Sequence, residues 1–462
     1  MYMDDIKLYA NTLNELNELV EVAQTFSEDI HMQFGIDKCK IQSVSKGRIE
    51  ANHYQLQNGQ TIDPVDNNSG YKYLGYQQSQ QIHQKETKQT LEEKFRARLH
   101  KILNTQLNSR NTIKAINTYA VPILTYSFGI IRWSQTDLKR LQRIINTLLT
   151  KYRKHHPRAC VQRLTLPRAE GGRGLIDVQN LHNKQITTLR TFFKNQTERS
   201  TLHRVITHTD KKFTPLNLSD HSTQKNENIT SNTQKLDTWI QKSLHGRHRH
   251  DLVRPNVDKS ASNAWLERGE LFAETEGFMI AIQDQTIDTK NYRKYIIKDR
   301  TLVSDVCRHC HSSPETIQHI TGACKSIAQT DYKHRHDQVA AIIHQHLAYK
   351  HSLITQKVPY YKYTPQTILE SNTIPNTHNL ASTYTEKIAK YTDLSIELKN
   401  QWRVQTVKTI PIVLSSTGVI PHTLHTSLAF LGIHQLIYTL LQKATVLNTC
   451  RIVRKFLSID QT

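Results

Sequence analysis

"SQTDLKRLQRIINTLLTKYRKHH", residues 134–156, decides the fold class. Leu138, Leu141, Ile144, Ile145, Leu148 and Leu149 recur at helical spacing, so one apolar stripe is expected to face a core. Ser134 and Asp137 have the spacing of a capping box that starts such a helix. Its other faces carry Arg140, Arg143, Lys151, Arg153 and Lys154. Between residues 91 and 160 there are 14 Lys/Arg against 3 Asp/Glu, a local +11 of the chain's formal +21. Diffuse positive charge serves solubility; charge concentrated on helices is better explained by phosphate, so nucleic acid is the expected partner.

Outward from this segment, helical patterning runs from about residue 84 to 200, interrupted by the glycine-rich "LPRAEGGRGLIDV" (166–178). Residues before 80 read as a small α+β region. A helix over 11–26 leads through "FGIDKCKIQSV" (34–44) into a strand. "HYQLQNGQTIDPV" (53–65) is expected to be a hairpin, with Asn58-Gly59 as the positive-φ pair of a type I′ turn. "SGYKYLGYQ" (69–77) reads as a strand kinked at Gly75. Residues 215–235 are polar and aperiodic, a linker. Beyond it come helices carrying Trp239 and Trp265, a cysteine cluster, a helix over 384–402, a strand-like "VKTIPIVLSS" (407–416) and closing helices. The expected class is α+β, predominantly helical and multi-domain.

At 462 residues the chain has room for two to four domains. Its most apolar run, residues 119–131, is too short for a membrane span and contains Pro122 and Ser127. The start lacks a basic and then apolar leader. Six cysteines, three of them clustered, point to an intracellular metal site and not to a disulfide framework.

That cluster carries the most specific chemistry. Cys307, Cys310, His319 and Cys324 form C-x2-C-x8-H-x4-C. Two thiolates two residues apart grip one ion from a single turn, and His plus Cys complete a tetrahedron suited to Zn²⁺. A module this small folds on its ion, so the zinc would be structural. Asp4 and Asp5 are a weaker signal. Two-metal phosphoryl transfer needs carboxylates from at least two strands, and this pair supplies one side. Its bland alternative is a solvated turn. Lys38 is either a surface lysine or a group that meets a triphosphate.

Taken in order, "YMDDIKLYA" (2–10), "MQFGIDKCKIQSV" (32–44) and "GYKYLGY" (70–76) resemble successive blocks of a reverse transcriptase palm: the Asp-Asp hairpin, the lysine block and the primer-grip hairpin. Residues 118–133 with 164–178 resemble its thumb, and 274–296, the knuckle and "DYKHRHDQV" (331–339) extend the likeness. Together they resemble non-LTR retrotransposon polyproteins with a C-terminal restriction-like endonuclease. The resemblance implies an RNA-directed DNA polymerase acting on RNA and DNA in the nucleus, with Asp4, Asp5 and Lys38 catalytic and Mg²⁺ held by the aspartates. It also implies that Lys387 and Tyr391 of "EKIAKY" (386–391) are the nuclease's K-x3-Y pair.

Departures from the family are as informative. The aspartate that completes the family's polymerase site lies upstream of the Asp-Asp hairpin, and between Gln338 and Thr385 the only acid is Glu370. The expectation is therefore a truncated transposable-element fragment, inactive alone. It would comprise a palm edge (1–80), helical thumb (81–214), linker (215–235), helical linker domain (236–300), CCHC knuckle (301–337) and degenerate nuclease (338–462). A domesticated, non-enzymatic nucleic-acid-binding knuckle protein fits the same residues. A longer upstream reading frame would instead restore a polymerase.

Overall fold

Helices dominate, and among the described residues every strand lies before residue 80, in three two-stranded antiparallel hairpins. The computed structural model describes residues 5–32, 35–56, 58–66, 70–79, 81–219, 229–365 and 374–458. The chain divides into two compact units: Met1–Lys94 with Ile130–Arg132, and Phe95–Gly129 with Trp133–Thr462.

In the first unit the helix Leu13–Asp29 is capped by Thr12, whose hydroxyl accepts from the Glu15 N–H. Leu16, Val20 and Ala23 are half-buried and Ser27 is buried. Leu13, Val22 and Phe26 stay exposed, at 63, 68 and 47%. The hairpins pair Ser43–Ser45 with Arg48–Glu50, Tyr54–Gln55 with Thr61–Ile62, and Tyr71–Tyr73 with Tyr76–Gln78. The type I′ pairs sit elsewhere than expected. Lys46-Gly47 and Leu74-Gly75 have positive φ at both positions and close two-residue loops. At the expected site Gly59 has positive φ and Asn58 does not, because the register pairs Leu56 N–H with the Gln60 carbonyl (2.8 Å) and so leaves a three-residue loop in place of a two-residue one. "SGYKYLGYQ" is thus a hairpin turning at Leu74-Gly75, not one kinked strand.

The second unit contains the helix Gln135–Lys151, with the full Ser134/Asp137 capping box and all six stripe residues buried. It packs on the helix Val178–Gln196. Between them the chain tightens at Gly172, where a Cβ would lie 2.1 Å from the Leu166 carbonyl oxygen. Leu216 and Leu218, at the start of the expected linker, are buried against Ile186. Asp210 holds that loop by accepting from the Thr214 and Leu218 N–H groups (2.8 and 2.9 Å).

Residues 236–458 are knit by shared cores. One cluster joins Trp265, Met279 and Ile282 to Cys307, Ile320, Cys324 and Tyr332, and to Val453 and Phe456 of the last helix, Ile437–Ser458. That helix also supplies Ile437, Tyr438 and Leu441 to a second cluster with Ile342, Leu414 and Leu424. The segments expected as linker domain, knuckle and nuclease remnant therefore lie within one compact unit. Residues 407–416 form no strand. Val413 enters one core and Leu414 another, so their apolar character reflects burial between two cores and not a sheet.

Candidate metal centre and basic helix face

The knuckle is built from a short turn and a short helix. Cys307 N–H donates to the Ser313 carbonyl (2.8 Å), and Val306 bridges Pro314, closing a loop that holds Cys307 and Cys310 on one side. Backbone N–H groups of His309 and Cys310 point at the Cys307 sulfur (3.4 and 3.5 Å). Thr316 caps the helix Ile317–Gly322 by accepting from His319 N–H, which fixes where the imidazole begins. Cys324 follows, its N–H donating to the Tyr332 hydroxyl (3.1 Å), which itself donates to the His319 and Ile320 carbonyls. The turn is clamped by Glu315, fully buried and paired with the Arg308 guanidinium at 2.8 and 2.9 Å.

The four ligand atoms all lie within 4.8 Å of one another. Cys307 Sγ and Cys324 Sγ are 3.9 Å apart, and Cys310 Sγ and His319 Nε2 are 3.3 Å apart. A tetrahedral zinc ion would set its sulfurs about 3.8 Å apart and sulfur and nitrogen about 3.5 Å apart. The residues fit the ion. Burial opposes ionisation of Cys310, but hydrogen bonds from the Ser312 hydroxyl and N–H and from the neighbouring thiols bring it down to about 7. Burial, then the Cys307 and Cys310 thiols, pushes Cys324 up to about 11. A cation among these sulfurs removes that conflict, because coordinated thiols are deprotonated. Cys307 and Cys324 belong to the core, so this cluster could hold zinc as a packing element.

Along the helix Gln135–Lys151, Arg140, Arg143 and Lys151 are exposed on the face opposite the buried stripe, at i, i+3 and i+11, nearly whole turns apart. Arg140 also pairs with Asp137 (3.5 Å). Arg153 lies just past the helix, exposed, at φ 54°. Lys154 is half-buried and donates to the Thr105 carbonyl (3.2 Å); burial, then Arg173, lowers its pKa. It is the least available of the five.

Asp4 lies outside the described residues. Asp5 is exposed; burial, then Cys39 and Asp5, pushes the Tyr71 phenol up, which places Asp5 near the third hairpin. Among the described residues Asp5 joins no group of three potential metal ligands. Lys38 ends a short 3-10 turn, exposed.

Lys387 lies in the helix Leu380–Lys390, and Tyr391 is the residue that caps that helix. Lys387 borders a cavity of about 340 Å³ with His336, His344, Val339, Ile343 and Leu414. Among the described residues no carboxylate lines it, and Glu370 lies outside them. Burial, then Lys390, lowers the Lys387 pKa.

A second group of potential ligands, Asp258, His422 and His425, was not visible in sequence, because Asp258 is far from the two histidines along the chain. Among the described residues no helix is long and apolar enough to cross a membrane. No protein-family model matches this chain, and no curated protein matches it.

Proposed function

We propose that this chain is an RNA- and DNA-binding protein stabilised by structural zinc and derived from the polymerase of a non-LTR retrotransposon. The observation that carries the reading is the basic face of Gln135–Lys151, where Arg140, Arg143 and Lys151 project from a helix anchored by six buried apolar residues. Phosphates spaced along a duplex suit cations held at fixed intervals on a rigid helix. Support from the knuckle is of a different kind: its ligand spacing fits zinc, and its place in the core makes the ion part of the fold. Nucleotidyl transfer is not part of the proposal, since two-metal chemistry needs carboxylates from several strands and the resemblance accounts for only the Asp4-Asp5 side of such a site.

The test has two arms. Fluorescence anisotropy with a labelled RNA–DNA hybrid is expected to show binding by the zinc-loaded protein, displaced by unlabelled nucleic acid. Primer extension with Mg²⁺ and deoxynucleotides is expected to give no product. Absence of hybrid binding would end the binding claim. Extension that disappears in Asp5→Ala would show that the chain is a polymerase.

A further inference from the structure

Two distant segments are zipped together beside the last helix. Asp258 N–H donates to the Ile420 carbonyl (2.9 Å), His422 N–H donates to the Asn256 carbonyl (3.0 Å), and Val257 bridges Pro421. The pairing sets Asp258, which caps the helix Lys259–Arg268, against the first turn of the helix His422–Phe430. One carboxylate oxygen of Asp258 accepts from the Ala261 N–H (2.8 Å). The other faces His425 Nε2 at 2.6 Å. His422 stands three residues earlier on the same turn, exposed, its ring centroid 6.2 Å from that of His425. On the far side of the His425 ring, Nδ1 contacts the hydroxyl of Tyr438, a residue only 5% exposed.

We propose that Asp258, His422 and His425 form a second metal site, for a divalent transition ion of the zinc type. Their ligand atoms already lie within 4.8 Å of one another. Two imidazoles and one carboxylate are an established zinc donor set, and such a set leaves a position for water or another ligand. That open position faces solvent through the exposed His422. Ligand atoms around a tetrahedral ion stand about 3.3 Å apart. Asp258 and His425 therefore separate by about 0.7 Å as the ion enters, which a rotation of either side chain accommodates. Coordination through Nε2 leaves the imidazole proton on Nδ1, where the Tyr438 oxygen accepts it. This outer hydrogen bond fixes the ring for its ion. The site contains no thiolate, so its chemistry differs from that of the knuckle.

Equilibrium dialysis of the full chain against Zn²⁺, with parallel Co²⁺ spectra, tests this. The wild type is expected to bind two equivalents, of which only one shows sulfur-to-cobalt charge transfer. Asp258→Asn keeps a side chain able to cap the helix, and His422→Ala removes an exposed ring, so both are expected to fold. Each is expected to weaken the thiolate-free equivalent at least tenfold and leave the thiolate band unchanged. Tyr438→Phe should weaken it by about 10–100-fold. A wild type that binds no ion outside the thiolate site overturns the proposal. So does retention of the thiolate-free ion by His422→Ala.

Discussion

Glu276 is fully buried, and a single substitution there should cost more than almost anywhere else. It accepts from Arg173 Nε (2.9 Å) and Arg168 Nη1 (2.8 Å), and the Ser109 hydroxyl donates to it as well. Burial opposes its charge, but Arg173 and Arg168 hold the carboxyl below the ordinary glutamate value. Glu276→Gln leaves the buried Arg173 uncompensated and is expected to lose about 3–5 kcal/mol in denaturant unfolding. The depressed carboxyl contributes stability above about pH 4.5 and loses it as pH falls below that value, so the wild type should weaken there and the variant should lack that component. None of these partnerships is legible in the sequence, because Ser109, Arg168 and Glu276 are brought together only by folding. The knuckle is the opposite case. Its four potential ligands fall in one short segment, at spacings suited to a single metal ion.

At the scale of elements, legibility followed local determinants. The helix Gln135–Lys151 could be read with its start and its buried face because the cap and the stripe are both local. Ser134→Ala, which removes the hydroxyl that accepts from Asp137 N–H, is expected to cost about 1 kcal/mol, seen as a lower melting temperature with an unchanged helical spectrum. Hairpin turns were harder to place. Asn58-Gly59 has the favoured type I′ sequence, yet Lys46-Gly47 and Leu74-Gly75 adopt the geometry, because strand register overrides the preference of the residues. The run over 407–416 misled for another reason: apolar residues feeding two cores look like those of a buried strand.

Across the whole molecule, the two candidate properties rest on different forces. A zinc ion held by the knuckle would act through the core that Cys307 and Cys324 share with Ile320, Tyr332 and Phe456. Removing it with a chelator, or replacing Cys310 by Ser, is therefore expected to lower the melting temperature of the whole second unit, not only of the knuckle, as calorimetry would show. The proposed nucleic-acid binding would act through surface charge and should follow salt. The most direct measurement is the salt dependence of RNA–DNA hybrid affinity, compared between the wild type and the triple variant Arg140→Glu, Arg143→Glu, Lys151→Glu. Steep weakening with salt is expected in the wild type, with a slope shallower by about 2–3 in the variant as those phosphate contacts are lost. Equal slopes in the two proteins, or affinity indifferent to salt, would contradict the assignment of this helix face to nucleic acid.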